Sequence, residues 1–189
     1  MAQAEQYFAA EPQSKDVRRK LHVTLRGNEA DVEVSNGVFS GNRVDLGTSV
    51  LLRQAPEPPE EGTFLDLGCG WGPIALALGF ASPKADIWAL DVNERALELT
   101  RRNAELNGLT RNAWFMADDA PDYILNAADN NERVNVLSID PPRAGSTPEF
   151  LEAACALKPR RITYISCNPV TQERDLHQLL DGGYRLLKI

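Results

Sequence analysis

The sequence predicts an α/β fold, a mainly parallel twisted sheet with helices on both faces, plus a small β-rich extension at the N-terminus. Three observations predict it. From Phe64 onward, short apolar runs alternate with helical patterns, and alternating β and α units give a parallel sheet covered on both sides. Residues 64–72, FLDLGCGWG, run an apolar strand into three alternating glycines and at once into a helical pattern, PIALALGFA. Upstream, LHVTL (21–25) and ADVEV (30–34) alternate apolar and polar residues around RGNE, which reads as a hairpin.

The bulk composition fits one domain plus an extension: 189 residues, 43% hydrophobic and 25% charged. No apolar run approaches membrane-spanning length and the N-terminus has no apolar signal core, so a cytoplasmic protein is expected. Three cysteines, Cys69, Cys155 and Cys167, stand in unrelated contexts. Reduced thiols are expected, with no disulfide framework and no metal site. A formal net charge of −7 disfavours a broad nucleic-acid surface, so any RNA contact has to use a local basic patch.

Taken in order, residues 1–15 read as a leader. Lys15, Arg18, Arg19, Lys20 and Arg26 cluster around the first hairpin strand, either as a solvated strand end or as a phosphate-contacting edge. SNGVF and GNRVDLGTSVLLRQ predict a turn, a short strand and a helix starting near Asp45 or Thr48. A Pro- and Glu-rich linker over 54–63 then divides an extension (1–53) from the main domain (64–189). There, strands are expected at 64–68, 86–91, 112–117, 134–140 and 161–166, and a last one at YRLLKI (184–189). Helices are expected between them. The clearest, 93–108, places Ala96, Leu97, Leu99, Ala104 and Leu106 mostly on one side and ends at Gly108.

The glycine turn is the candidate ligand site. Glycine allows positive φ and leaves bare main chain for a ligand, and such crevices open at the carboxyl ends of strands. Asp66 precedes Gly68, Gly70 and Gly72, and Asp91 ends the next strand 25 residues later, where a carboxylate reaches ribose hydroxyls. An NAD site is the alternative, but LDLGCGWG lacks the wider GxGxxG spacing. The arrangement resembles class I methyltransferases, a Rossmann-like family that uses S-adenosyl-L-methionine. The resemblance implies that the glycine turn faces the methionine part of the donor and that Asp91 binds ribose. Val92 or Asn93 would lie beside the adenine, and Asp118 would reach its amino group, with Asp119 as the fallback. For Asp118 a plain helix N-cap is the competing reading.

Two further motifs reach the same sheet edge: IDPPRAG (139–145) and ISCNPVTQERDL (165–176). Asp140, Arg143 and Cys167 should therefore face the donor. Prolines 141 and 142 stiffen the strand exit. Cys167 stands between a strand end and a helix starting near Pro169 or Val170, a position that favours thiolate. Cys155, inside an apolar helix, reads as an inert core thiol, and Cys69 as a backbone position in the turn. The two motifs resemble RNA uracil-C5 methyltransferases over about 134–186. That likeness implies Cys167 as the nucleophile, Asp140 against the pyrimidine or donor, and Arg143 orienting the substrate. In that family the general base is a glutamate in a further C-terminal segment with no counterpart before Ile189, and Glu173 reads as a solvated charge.

Residues 6–110, including YFAAEP, VDLGTSVLL and LDLGCGWG, instead resemble small-subunit ribosomal-RNA guanine-N2 methyltransferases. There an NPP-type motif binds the guanine amino group, and here Asp140 takes the asparagine place. The chain thus reads as two methyltransferase halves that agree on fold and donor and differ on target atom. The preferred expectation is methylation of an RNA base, ribosomal RNA first, at uracil C5 through Cys167. Guanine N2 is the alternative, and a donor-binding scaffold without turnover is the third reading.

Overall fold

A computed structural model describes residue 10 and residues 14–189. YFAAEP, apart from Ala10, and most of the leader lie outside the described residues. The N-terminal hairpin pairs β1 (Arg18–Leu25) with β2 (Asn28–Ser35), antiparallel, around a tight turn at Arg26 and Gly27. Both strands run longer than their alternating cores.

The expected short strand around 38–44 does not form. The chain turns repeatedly there, with positive φ at Gly37 and Ser40, so no ladder can start. Helix α1 (Leu46–Gln54) follows, with Asp45 as N-cap accepting from Thr48 N at 3.1 Å. The linker is irregular and held by arginines. Arg26 donates to Ala55 O at 2.9 Å, and Arg161 donates to Glu57 O at 2.7 Å.

The main sheet has five parallel strands in the order β5-β4-β3-β6-β7. They are β3 (Thr63–Leu67), β4 (Asp86–Asp91), β5 (Ala113–Ala117), β6 (Val136–Ile139) and β7 (Arg161–Tyr164). Between them run α2 (Pro73–Ala81), α3 (Glu94–Leu106), α4 (Ala120–Asp129) and α5 (Pro148–Ala156), and α6 (Pro169–Asp181) follows β7. Alternate residues of β3 face opposite layers. Leu65 and Leu67 pack with Ile124, Leu151 and Leu179 of α4, α5 and α6, whereas Phe64 packs with Ala75 and Leu97 of α2 and α3. The hairpin and α1 join the α2–α3 side: Leu25, Val32, Val34 and Leu52 share a core with Trp71, Leu76 and Leu99.

YRLLKI does not form the expected strand. Residues 184–189 have no ladder, and Leu186, Leu187 and Ile189 stay exposed. Adjacent Leu186 and Leu187 break the alternation a half-buried strand needs. Side chains anchor the segment instead, Tyr184 donating to Pro159 O at 2.9 Å and Lys188 to Gln54 Oε1 at 2.6 Å.

Among the described residues, no helix is long and apolar enough to cross a membrane. The strand order reverses at β3. The chain steps outward through β4 and β5, then returns to the other side of β3 for β6 and β7. That reversal opens a crevice at the carboxyl ends of β3 and β6, the standard ligand position in such sheets.

Candidate active site

Two loops meet in that crevice. The glycine turn leaves β3, and loop 140–146 leaves β6. They touch: a Cβ added at Gly68 would lie 3.5 Å from Asp140 O. All three glycines take positive φ, 79° at Gly68, 58° at Gly70 and 94° at Gly72. Only Gly70 faces open space, with no heavy atom within 4 Å of an added Cβ. Gly72 is packed against Thr100, whose Cγ2 lies 2.8 Å from that position. The bare main chain available to a ligand is therefore at Gly70.

Side chains fix this turn from three directions. Asp66 lies beneath it, 1% exposed, and accepts from Ala75 N at 3.0 Å. Gly72, the N-cap of α2, has no side chain for that task, so a strand carboxylate caps the helix from below. Asp91 accepts from Gly70 N and Asn93 N, both at 2.9 Å. Thr100 of α3 donates to Gly70 O at 2.7 Å.

The other expected donor contacts divide. Val92 is half-buried beside Asp91. Asn93 is 1% exposed, and its side chain is committed: Oδ1 caps α3 through Arg95 N and Ala96 N, and Nδ2 donates to Gly37 O at 2.8 Å. The Asn93 side chain is thus engaged in capping α3 and in holding the turn at Gly37. Asp118 is half-buried after β5 and accepts from Asp119 N. Asp119 is the N-cap of α4 without a side-chain cap bond, so Asp118 is not the cap its alternative reading required.

Across the crevice, Asp140 is half-buried at the end of β6. Burial, with Asp45 nearby, pushes its carboxyl up to about 6. Burial also pushes Asp66 up to about 7, and its neighbours Asp140 and Asp91 add to the rise. Ser138 stands directly opposite Asp66 in the β3–β6 register. Burial likewise raises Asp91. The crevice is an acidic, partly desolvated field.

Cys167 is exposed, one residue before Asn168, the N-cap of α6. Asn168 Nδ2 donates to Arg143 O at 3.1 Å, which ties the cysteine turn to loop 140–146. The Arg143 side chain is exposed, and so is Glu173. Cys69 is buried in the turn, and burial raises its thiol. An open cavity of about 400 Å³ lies at the opposite end of the sheet, beside the stacked Trp88 and Trp114, and takes no part in this site.

Sequence reasoning missed Thr100, Asp45, Arg174 and Asp175. Thr100 and Asp45 sit on ordinary helix patterns, and only the fold brings them to the crevice. Arg174 and Asp175 stand inside a motif that had been quoted, but adjacent opposite charges on a helix carry no sign of burial.

The parallel sheet, its reversal at β3 and the glycine turn define the Rossmann-like fold of class I methyltransferases. Residues 29–147 match the model of the family described as Methyltransferase small domain, and the chain belongs to that family. It is 38% identical over 147 residues to an uncharacterized RNA methyltransferase of Listeria innocua, covering 76% of this chain and 32% of the relative. An uncharacterized RNA methyltransferase of Streptococcus pyogenes is 38% identical over 125 residues, 66% of this chain and 26% of the relative. The chain thus spans about a third or less of the length of these relatives.

Among solved structures, the tRNA (uracil-54, C5)-methyltransferase of Pyrococcus abyssi with S-adenosyl-L-homocysteine superposes with a TM-score of 0.64 at 25% identity. That match covers 85% of this chain and 38% of the other. The 16S rRNA N2 G1207 methyltransferase of T. thermophilus gives 0.66 at 20% identity, over 94% and 49%, a likeness of fold.

Proposed function

We propose that this chain transfers a methyl group from S-adenosyl-L-methionine to C5 of a uracil in RNA, with Cys167 as nucleophile. The observation that carries the reading is the exposed Cys167 thiol at the crevice edge, tied through Asn168 to the loop of Asp140 and Arg143. The similarity to the uracil-C5 enzyme and to relatives named as RNA methyltransferases supports it.

The donor fits the residues present. Main chain is bare at Gly70, and the Asp91 carboxylate beside it keeps lone pairs for ribose hydroxyls. Asp66, Gly68 and Gly72 shape the turn, and Val92 and Asp118 flank the adenine side. When bound, the donor supplies an electrophilic methyl on a cationic sulfonium, which the acids of the crevice favour. Cys167 adds through Sγ to uracil C6, because C5 is a poor nucleophile until that addition makes an enolate. C5 of that enolate would take the methyl as the sulfonium leaves as the neutral thioether of S-adenosylhomocysteine, and loss of the C5 proton to a base outside the residues assigned here would break the C6–S bond and restore the thiolate. Asp140 accepts from a donor group of the base, and Arg143 orients the nucleotide. RNA phosphates meet Lys15, Arg19 and Lys20, which have no ion pair among the described residues. Arg18 is paired with Asp16 and Glu98, and Arg26 with Glu57.

Guanine N2 is the second reading, favoured by the proximity of Asp45 to Asp140. Two acids suit an exocyclic amine.

Treating 5-fluorouridine RNA with protein and donor should give a covalent complex that Cys167→Ser loses, and C5-labelled uridine should release tritium. Guanine methylation surviving Cys167→Ser would move the assignment to N2. Separately, Asp91→Ala should weaken S-adenosylhomocysteine binding by about 1–3 kcal/mol in calorimetry. An unchanged affinity removes the ribose assignment.

A further inference from the structure

We propose that Asp175 is the positioning residue of the acceptor side, through which α6 holds loop 140–146 and the Cys167 turn as one rigid unit. The inference rests on the reading of that crevice as the methyl-transfer site. Its physical basis is a set of bonds from α6 side chains to the main chain of the loop.

Asn168 Nδ2 donates to Arg143 O at 3.1 Å, and Thr171 Oγ1 lies 3.3 Å from the same oxygen while sharing its one proton with Asn168 O at 3.1 Å. Arg174 Nη2 donates to Ala144 O at 3.1 Å and to Ser146 O at 2.9 Å. Asp175 closes the set by accepting from Ser146 N at 2.7 Å. Tyr164, at the end of β7, donates its hydroxyl to the same carboxylate.

Asp175 is 1% exposed. A buried carboxylate is costly unless it is paired and hydrogen-bonded. Here Arg174 pairs with it at 2.7 Å, and the Tyr164 hydroxyl and Ser146 amide complete its bonding. The apolar side of α6 packs separately, through buried Leu179 and half-buried Leu176. The polar bonds go to the loop that carries Asp140 and Arg143.

Gly145 allows the loop to lie this close. At φ +80°, an added Cβ would sit 2.5 Å from Arg174 Nη2 and 2.6 Å from Asp175 Oδ2. Loop and helix are in contact with no room for a side chain.

The unit therefore fixes Asp140 and Arg143 relative to the Cys167 sulfur. A misplacement of about 1 Å in a reacting pair costs about a hundredfold in rate. Asp175 acts through that placement and touches neither substrate nor donor.

The test uses the full chain and two variants that disturb the contact from opposite sides. Asp175→Asn keeps the shape but loses the charge facing Arg174, and Gly145→Ala presses the loop off the helix. Each should speed amide exchange at 143–146 and lower kcat for RNA methylation by about 10- to 100-fold. The S-adenosylhomocysteine affinity and the KM for donor should hold. The proposal fails if exchange at 143–146 is unchanged, if kcat falls only with the folded fraction, or if donor affinity falls in parallel. Where Asp175→Asn does not fold, Gly145→Ala and Thr171→Val carry the same measurements. If the wild-type protein methylates no RNA, the function reading fails, and exchange at the Ser146 amide still decides whether Asp175 holds the loop.

Discussion

Asp66 caps α2 and supports the glycine turn, yet it is 1% exposed and lies near Asp91 and Asp140. Burial raises its carboxyl from 3.8 to about 7. A folded-state pKa above the unfolded one means that the protonated form favours folding. That contribution is whole below about pH 4 and is lost as pH rises through 7. Asp66→Asn still accepts from Ala75 N but cannot ionise. The stability of this variant relative to the wild type should therefore improve by roughly 1.4 kcal/mol per pH unit across that window. Urea midpoints at several pH values between 4 and 8 measure this, and parallel curves for the two proteins would assign the titration elsewhere. The sequence showed Asp66 as an acid before glycines. It did not show a buried acid, because a lone Asp at the third place of FLDLG follows no burial pattern. Asn93 shows the same limit. Its place after Asp91 predicted an adenine neighbour, while the start of α3 took its side chain as a cap.

Helix α3 carries the link between the hairpin and the glycine turn. Asn103 is fully buried. Its Oδ1 accepts from Glu33 N at 2.6 Å, and its Nδ2 donates to Glu33 O and Trp71 O, each at 2.9 Å. Leu106, placed by sequence on the buried side, is 39% exposed. Asn103 takes the stripe position instead, because Ala96, Leu99, Thr100 and Asn103 follow the spacing of one helix face. A polar residue in that stripe is tolerated because all of its bonds are met by main chain. Asn103→Ala leaves buried backbone groups at Glu33 and Trp71 without partners and should cost on the order of 2–4 kcal/mol. Equilibrium urea unfolding reads the loss, and a cost below about 0.5 kcal/mol, the size of an ordinary surface substitution, would show that the hairpin is held by packing alone. The helix itself was legible from periodicity and from Gly108. The amide bridge was not, because its partners Glu33 and Trp71 lie 70 and 32 residues away.

Across the whole molecule, the hairpin, α1, α2 and α3 share one apolar core on one face of the sheet, and α4, α5 and α6 cover the other. The basic cluster near β1 is divided by the fold. Arg18 and Arg26 are held in ion pairs, whereas Lys15, Arg19 and Lys20 have none among the described residues. The sequence by itself determined the parallel α/β architecture, the glycine turn, the hairpin and the approach of DPPRAG and SCNP to one sheet edge. Alternation, glycine spacing and helix caps are local signals, and parallel strands send all their carboxyl ends to one side. Only the tertiary structure decided which glycine is bare, which acids are desolvated, that YRLLKI adds no strand, and that α6 grips the loop after β6. Those properties depend on which atoms lie within a few ångströms across long sequence separations, and local pattern holds no record of that.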